Sequence, residues 1–381
     1  MKKTLLLCLA LLLLCACGTA EMTPVSEEPS ALPTAAPSPS PVPNPVPTSV
    51  PTLHRGSSTF SADAAEVELS EESISIEELT ELLSQMIAAP ETVELGEQCY
   101  CAEELAPLCR AYPDTRFHCM VELFGQRFPS DSTEIDLSEA PMTDTEELEE
   151  SLCCFPQLEK VLMLHCGLDN ETMDALNLRH EAVCFVWMVP VMKVAIRSDR
   201  TYFTYHNPDA YTKSFAPISN LRYCHELIAV DLGHFHITDE DFQFVAGTPK
   251  LQFLIIAMSK VHNIELLRGC PELRYLEAFW APIEDFTPLL DCPKLTDLNI
   301  CNMSQLDEED LQVFAQMKQL EHLWMAGTLF TPEQIQPLRD ALPDTEILQR
   351  YGSKAGATDD GWREHPIYFE MRDAFHMFYL K

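Results

Sequence analysis

Three stretches of the chain carry the same spacing of apolar positions. Leu251, Leu254 and Ile256 recur as Leu273, Leu276 and Ala278, and again as Leu295, Leu298 and Ile300, with successive starts 22 residues apart. The agreement continues downstream. Val261, Ile264, Leu267 and Cys270 follow Leu251 at offsets 10, 13, 16 and 19, and Ile283, Phe286, Leu289 and Cys292 follow Leu273 at the same four. Within each copy the apolar residues alternate over about six positions, which predicts a short strand with one buried face. The apolar positions beyond it predict a segment that folds back over that face. One such unit cannot cover its own edge, so a fixed period of this length implies stacked coils sharing one continuous core.

Weaker copies flank these. Leu227, Val230 and Leu232 precede by 24 residues, and Leu320, Leu323 and Met325 follow Leu295 by 25. Leu158, Val161 and Met163 match Val183, Val186 and Met188, again 25 apart, and short echoes occur at 67–70, 93–96, 135–138 and 230–233. The array therefore extends over about residues 65–350, regular from 221 to 350 and irregular from 61 to 220. Residues 307–314 predict a short helix in a unit three residues longer than its neighbours, whereas 282–286 predict a tighter turn. Residues 116–123 and 183–196 predict longer strands, and 197–217, rich in Tyr, Asp and Ser, an irregular insertion. Within 351–381, apolar residues at helical spacing over 367–378 predict an amphipathic segment capping the last coil.

The unit resembles the leucine-rich-repeat family, whose pattern is LxxLxLxxN followed by a convex segment. That resemblance implies an α/β fold: a curved parallel sheet with helices, 3-10 turns and loops on its convex side. The family's ninth position is usually Asn, whose side chain satisfies backbone groups in the turn. Here it holds Phe235, Ser259, Ala281, Met303 and Thr328, which leaves the turn geometry open.

The N-terminus changes the picture of location. Lys2 and Lys3 precede an apolar run over 5–14, too short to span a membrane and of the length of an export signal. Leu14, Cys15, Ala16, Cys17 and Gly18 follow. They resemble the lipobox of bacterial lipoproteins, which implies removal of residues 1–16, acylation of Cys17 and a membrane-anchored protein on the extracytoplasmic side. An ordinary secretory signal with an incidental cysteine is the other reading. Similar exported lipoproteins with a Pro/Ser-rich stalk occur among Gram-positive bacteria, the origin that the likeness implies. Residues 17–60, where Pro37, Pro39, Pro41, Pro43, Pro45 and Pro47 alternate with other residues, predict a disordered tether of polyproline II character.

Losing Lys2 and Lys3 with residues 1–16 takes the net charge from −35 to −37. So acidic a chain repels phosphates, which argues against nucleic acid as a partner. Export makes disulfides possible among the cysteines. However, Cys270 and Cys292 fall at one repeat position, which favours buried free thiols; Cys99 with Cys101, and Cys153 with Cys154, are candidate exceptions.

Candidate chemistry is sparse. HExxH, GxSxG, GxGxxG, P-loop and CxxC patterns do not occur, so no enzyme, cofactor or metal site is expected. His234 and His236 lie two apart past a strand, and lack the further ligands a metal needs. The stronger signal is a surface. Side chains between the leucines of each strand point to the opposite sheet face, which places Phe253, Ile255, Tyr275, Glu277, Asp297, Asn299, His322 and Trp324 there, with Phe279 just beyond. Its aromatic members form a strip expected to bind a protein or other macromolecule from the concave side. Coverage by the 197–217 insertion or by the C-terminal segment is the competing reading. A solute-binding lipoprotein serving a transporter is the alternative function, although a 22-residue period is foreign to two-lobed binding proteins.

Overall fold

The computed structural model describes residues 50–56, 58–349 and 365–377; the export signal, Cys17 and most of the Pro-rich segment lie outside them. From residue 50 onward the chain forms one unit, and its core is a stack of coils. Seven parallel strands run side by side: Tyr202–Thr204, Ala229–Asp231, Phe253–Ile255, Tyr275–Glu277, Asp297–Asn299, His322–Trp324 and Glu346–Leu348. Their middle residues are paired in strict register, from Phe203 to Val230, Leu254, Leu276, Leu298, Leu323 and Ile347. Leu251, Leu273 and Leu295, which open the three matched units, are all fully buried. The fold is a leucine-rich-repeat solenoid, as the period implies.

Upstream the same construction continues in shorter sheets. Glu66–Glu68, Thr92–Cys101 and Arg116–Leu123 pair in parallel through Val67, Val93 and Phe117. Glu134–Asp136, Lys160–Leu162 and Cys184–Val186 do so through Ile135, Val161 and Phe185. Arg116–Leu123 is a long strand, as expected. The other long stretch is broken at Trp187 into Cys184–Val186 and Met188–Arg197. The insertion expected over 197–217 is more ordered than its composition suggests. Ala210–Ala216 returns antiparallel along Met188–Arg197, and Tyr202–Thr204 is the first strand of the seven-stranded ladder. Its rung Phe203 lies 27 residues before Val230, a spacing too far from 22 to register as a repeat.

The missing Asn ladder is replaced by a backbone device. Four residues after each rung the chain turns through a positive φ: His234 at 68°, Met258 at 60°, Trp280 at 59°, Asn302 at 59° and Gly327 at 73°. The next residue then donates back across a tight turn, Phe235 N to Leu232 O at 3.3 Å, Ser259 N to Ile256 O at 3.2 Å and Ala281 N to Ala278 O at 3.0 Å. The left-handed residues also reach the following coil. His234 N donates to Ala257 O, Met258 N to Phe279 O, Trp280 N to Cys301 O and Asn302 N to Ala326 O, at 2.7 to 3.2 Å. Turn amides that an Asn side chain would otherwise engage are thus satisfied by main chain, as buried polar groups must be.

On the opposite side, short units admit only 3-10 turns, Asp241–Gly247, Glu265–Gly269 and Thr287–Asp291. The last starts just beyond the stretch expected to turn. The longer unit between Leu298 and Leu323 has room for an α-helix, Glu308–Phe314, whose start is fixed by Asp307 accepting from Glu309 N and Asp310 N. Upstream, the helices Glu146–Ser151 and Asn170–Arg179 are joined by Glu149. It accepts from Arg179 Nη2 at 2.7 Å, and its other oxygen lies 2.8 Å from His180 Nε2. Cys270 and Cys292 are fully buried, and no disulfide joins any of the twelve described cysteines.

Two measurements check this account. Left-handed backbone costs an L-residue about 1–2 kcal/mol, and His234 is exposed, so its side chain gives little in return. We expect His234→Gly to be more stable than His234→Ala by about 1 kcal/mol in denaturant unfolding; equal midpoints would remove the turn argument. The Arg179 guanidinium, with Thr145 and His180, holds the Glu149 carboxyl down at about 2. A depressed carboxyl stabilises above its unfolded value of about 4.3 and loses that contribution as pH falls through the folded one. The stability gap between wild type and Glu149→Gln should therefore shrink as pH falls below about 4.3 and close toward pH 2.

Candidate functional site

The alternation of strand side chains produces two separate apolar clusters, one on each face of the ladder. Val230, Leu254, Leu276, Leu298 and Leu323 belong to the continuous core of the coils. Phe253, Ile255, Tyr275, Phe279 and Trp324 belong to the other, together with Tyr202 and Ala229. Adjacent strands lie about 4.8 Å apart, so these side chains form a band running across the strands. The sequence-predicted residues are thus brought together on one face.

That face is not open to water, which corrects the expectation of a bare strip. Phe253, Ile255, Tyr275, Glu277, Phe279, Asp297, Asn299 and Trp324 are all buried, and His322 is half-buried. The cover is the C-terminal helix Pro366–Ala374, which places Ile367, Met371 and Phe375 against the band. Positions i, i+4 and i+8 form one stripe of a helix; Pro366 at its first turn and His365 as N-cap set its start. The helix lies across the strands. At its beginning His365 meets His322 and Trp324, midway Arg274 Nη2 reaches Glu370 Oε2 at 2.8 Å, and past its end His376 stacks on Tyr202. The amphipathic spacing over 367–378 anticipated the helix with capping of the last coil as its expected role; coverage of this face by the C-terminal segment, the competing reading, is what the structure shows. Apolar periodicity shows that a face must be covered and carries no information about which surface covers it.

The polar members of the face are organised around the same contact. Tyr275 Oη donates to Glu277 Oε2 at 2.8 Å within the buried band; burial, and then the neighbouring carboxylate, push the Tyr275 phenol well up. Asp297 and His322 are cross-strand partners, with His322 Nδ1 2.8 Å from Asp297 Oδ1. Burial raises the Asp297 carboxyl, opposed by Thr296 and His322. His322 stacks over Trp324 with centroids 5.5 Å apart at 20°. His365, which the sequence reading did not single out, is 3.8 Å from the His322 ring centre; burial and then His322 lower its basicity. Asn299 Oδ1 accepts from Cys301 N at 3.1 Å, while Asn299 Nδ2 and Trp324 Nε1 are buried without a hydrogen-bond partner. Tyr202, Ile367, Met371 and Phe375 are the other members of the site that sequence reasoning missed. Trp280, next to Phe279, stays outside the cover with 52% of its surface exposed.

His234 and His236 do not join the Asp297, His322 and His365 group, although His234 lies edge-on to Phe279 with ring centres 6.3 Å apart. Both sit in left-handed backbone, and His236 Nδ1 contacts Met258 O at 2.9 Å. Among the described residues no helix is long and apolar enough to cross a membrane.

No family model and no curated protein matches this sequence. Similar solved structures include internalin C2 of Listeria monocytogenes, at 17% identity over 57% of this chain and 80% of that one, with a TM-score of 0.28. An internalin F of the same species matches at 11% identity over 71% and 72%, TM-score 0.29. A leucine-rich-repeat protein of Leptospira interrogans matches at 12% over 70% and 74%, TM-score 0.26. At such values these likenesses concern fold alone and say nothing of what this chain binds.

The cover can be tested directly. Phe375→Asp places a charge in the apolar band, where Phe375 is buried against it. We expect amide exchange across 366–377 to rise at least tenfold while strands 229–324 keep their protection. Loss of protection throughout would mean that helix and ladder unfold together.

Proposed function

We propose that this is an exported binding protein, held to a membrane through lipid on Cys17, that recognises a protein partner through the outer face of its seven-stranded ladder. The observation that supports it is the seat of the C-terminal helix: a face that accepts Ile367, Met371 and Phe375 in a row is built to receive an amphipathic helix. Helix-in-groove recognition reads such anchors at i, i+4 and i+8 spacing. Its aromatic lining, Phe253, Tyr275, Phe279 and Trp324, has the composition of interface hot spots, and Glu277, Asp297, Asn299 and His322 supply the polar contacts that set register. In this reading the chain's own helix competes for the site. Being tethered, it acts at an effective concentration in the millimolar range, so a partner must bind substantially tighter to displace it.

The Pro-rich segment supports the same reading through reach. The tether over 17–60 is shorter than expected, because Thr52–Arg55 pairs antiparallel with Ser58–Ser61; residues 17–49 at ~3.1 Å each would span ~100 Å, enough to present the coils away from an acyl anchor. The net charge of this chain disfavours nucleic acid as the partner. The solute-binding alternative gains nothing here, because the described coils do not form two lobes that close on a ligand.

Release of the helix should unmask the face. Surface extracts are passed over the full mature chain carrying Met371→Glu with Phe375→Glu, and over wild type. Capture of a defined partner is expected to rise at least tenfold, and to vanish when Tyr275→Ala and Trp324→Ala are added to the released chain. Capture that ignores all four changes would exclude the outer face as the binding surface.

A further inference from the structure

Asp297 and His322 face each other across neighbouring strands, and His365 closes over them from the N-cap of the C-terminal helix. One ligating atom from each of the three lies within 4.8 Å of the other two. The Asp297 side chain is only 3% exposed and that of His322 16%, so this is an internal cluster. The two imidazoles are in van der Waals contact, 3.8 Å between centres, and cannot both carry a proton without strong repulsion. A buried carboxylate beside two imidazoles is a donor set that one divalent cation satisfies.

We propose that Asp297, His322 and His365 bind a Zn2+-class divalent cation that clips the C-terminal helix to the ladder. Nitrogen and carboxylate ligands of zinc sit at about 2.0–2.2 Å, which puts neighbouring ligand atoms of a tetrahedral shell roughly 3.3–3.5 Å apart. To reach that spacing the Asp297–His322 pair opens slightly from 2.8 Å, and His365 closes from a separation within 4.8 Å. The cation takes the place of the proton shared between His322 Nδ1 and Asp297 Oδ1, and that proton leaves to solvent. His322 Nε2 then points toward Glu346, whose Oε2 is 4.0 Å away. A carboxylate on the far nitrogen is the usual outer partner of a metal-bound histidine. His365 gives up only a long 3.4 Å contact from Ile367 N. Water completes the shell. Two nitrogens and one carboxylate suit Zn2+, Co2+ or Fe2+; Ca2+ and Mg2+ prefer an all-oxygen shell.

The sequence hid this site because its ligands are 25 and 43 positions apart, far from any compact metal motif. It rests on the side-chain cluster alone, so its failure would leave the partner reading standing.

The test uses the full mature chain stripped with a chelator, then titrated with ZnCl2 and, separately, CoCl2. The expected result is one equivalent bound, a raised Tm, and at least tenfold slower amide exchange over 366–377. His365→Asn keeps an N-cap acceptor while removing the imidazole; it should weaken Zn2+ binding at least 100-fold and abolish the Zn2+-induced rise in Tm, read against the variant's own metal-free Tm. Glu346→Gln should weaken it by about tenfold. The Co2+ complex should show visible bands without thiolate charge transfer, which separates this site from the twelve cysteines. Absence of a saturable equivalent, retention of that equivalent by His365→Asn, or a thiolate signature would each overturn the assignment.

Discussion

The stacking of one coil on the next is the constraint from which the rest of this molecule follows. A three-residue strand exchanges few hydrogen bonds and buries one leucine, far too little for independent stability. Only when Val230, Leu254, Leu276, Leu298, Leu323 and Ile347 stand in register does each coil cover the apolar edge of its neighbour. Every other feature adapts to that ladder. Coils of 22 residues close with 3-10 turns, longer ones with either a 3-10 segment (Ile218–Tyr223, Asp241–Gly247) or an α-helix (Glu308–Phe314, Pro332–Ala341), and the buried thiols of Cys270 and Cys292 fill the same place in successive coils.

Turn chemistry shows how the stack tolerates departures from a common repeat. The usual solution spends an Asn side chain on each turn. This chain instead places one residue per turn in left-handed backbone and lets its amide reach the carbonyl of the next coil. That choice costs strain at His234, Met258, Trp280 and Asn302, which is sustained because the surrounding ladder over-determines the conformation. A register enforced by seven rungs holds four non-glycine left-handed turns in place.

The outer face follows from the same alternation that makes the core. If every second strand residue is committed to the coils, the others must face outward, and here many of them are apolar. A bare band of Phe253, Tyr275 and Trp324 would be an aggregation liability in water. The C-terminal helix resolves it by burying three apolar side chains against the band, which offsets part of the entropy lost in ordering its own backbone, and the Arg274–Glu370 ion pair adds a further contact.

What the sequence by itself determined is everything that depends on period. The 22-residue spacing dictated the parallel ladder, the identity of its rungs, and which side chains share its outer face, because strand and coil geometry are local and repeat. The 307–314 helix was legible from its extra length and its acidic start. The break at Trp187 and the ladder strand Tyr202–Thr204 were not, since a single irregular coil leaves no period to detect. Tertiary structure alone decided that the helix predicted near the C-terminus lies across Tyr275 and Trp324 and not on the last coil. It alone brought His365 onto Asp297 and His322. The physical reason is the same for both: an amphipathic stripe specifies that it must be buried, while the surface that buries it is chosen by shape and charge over distances that no local pattern records.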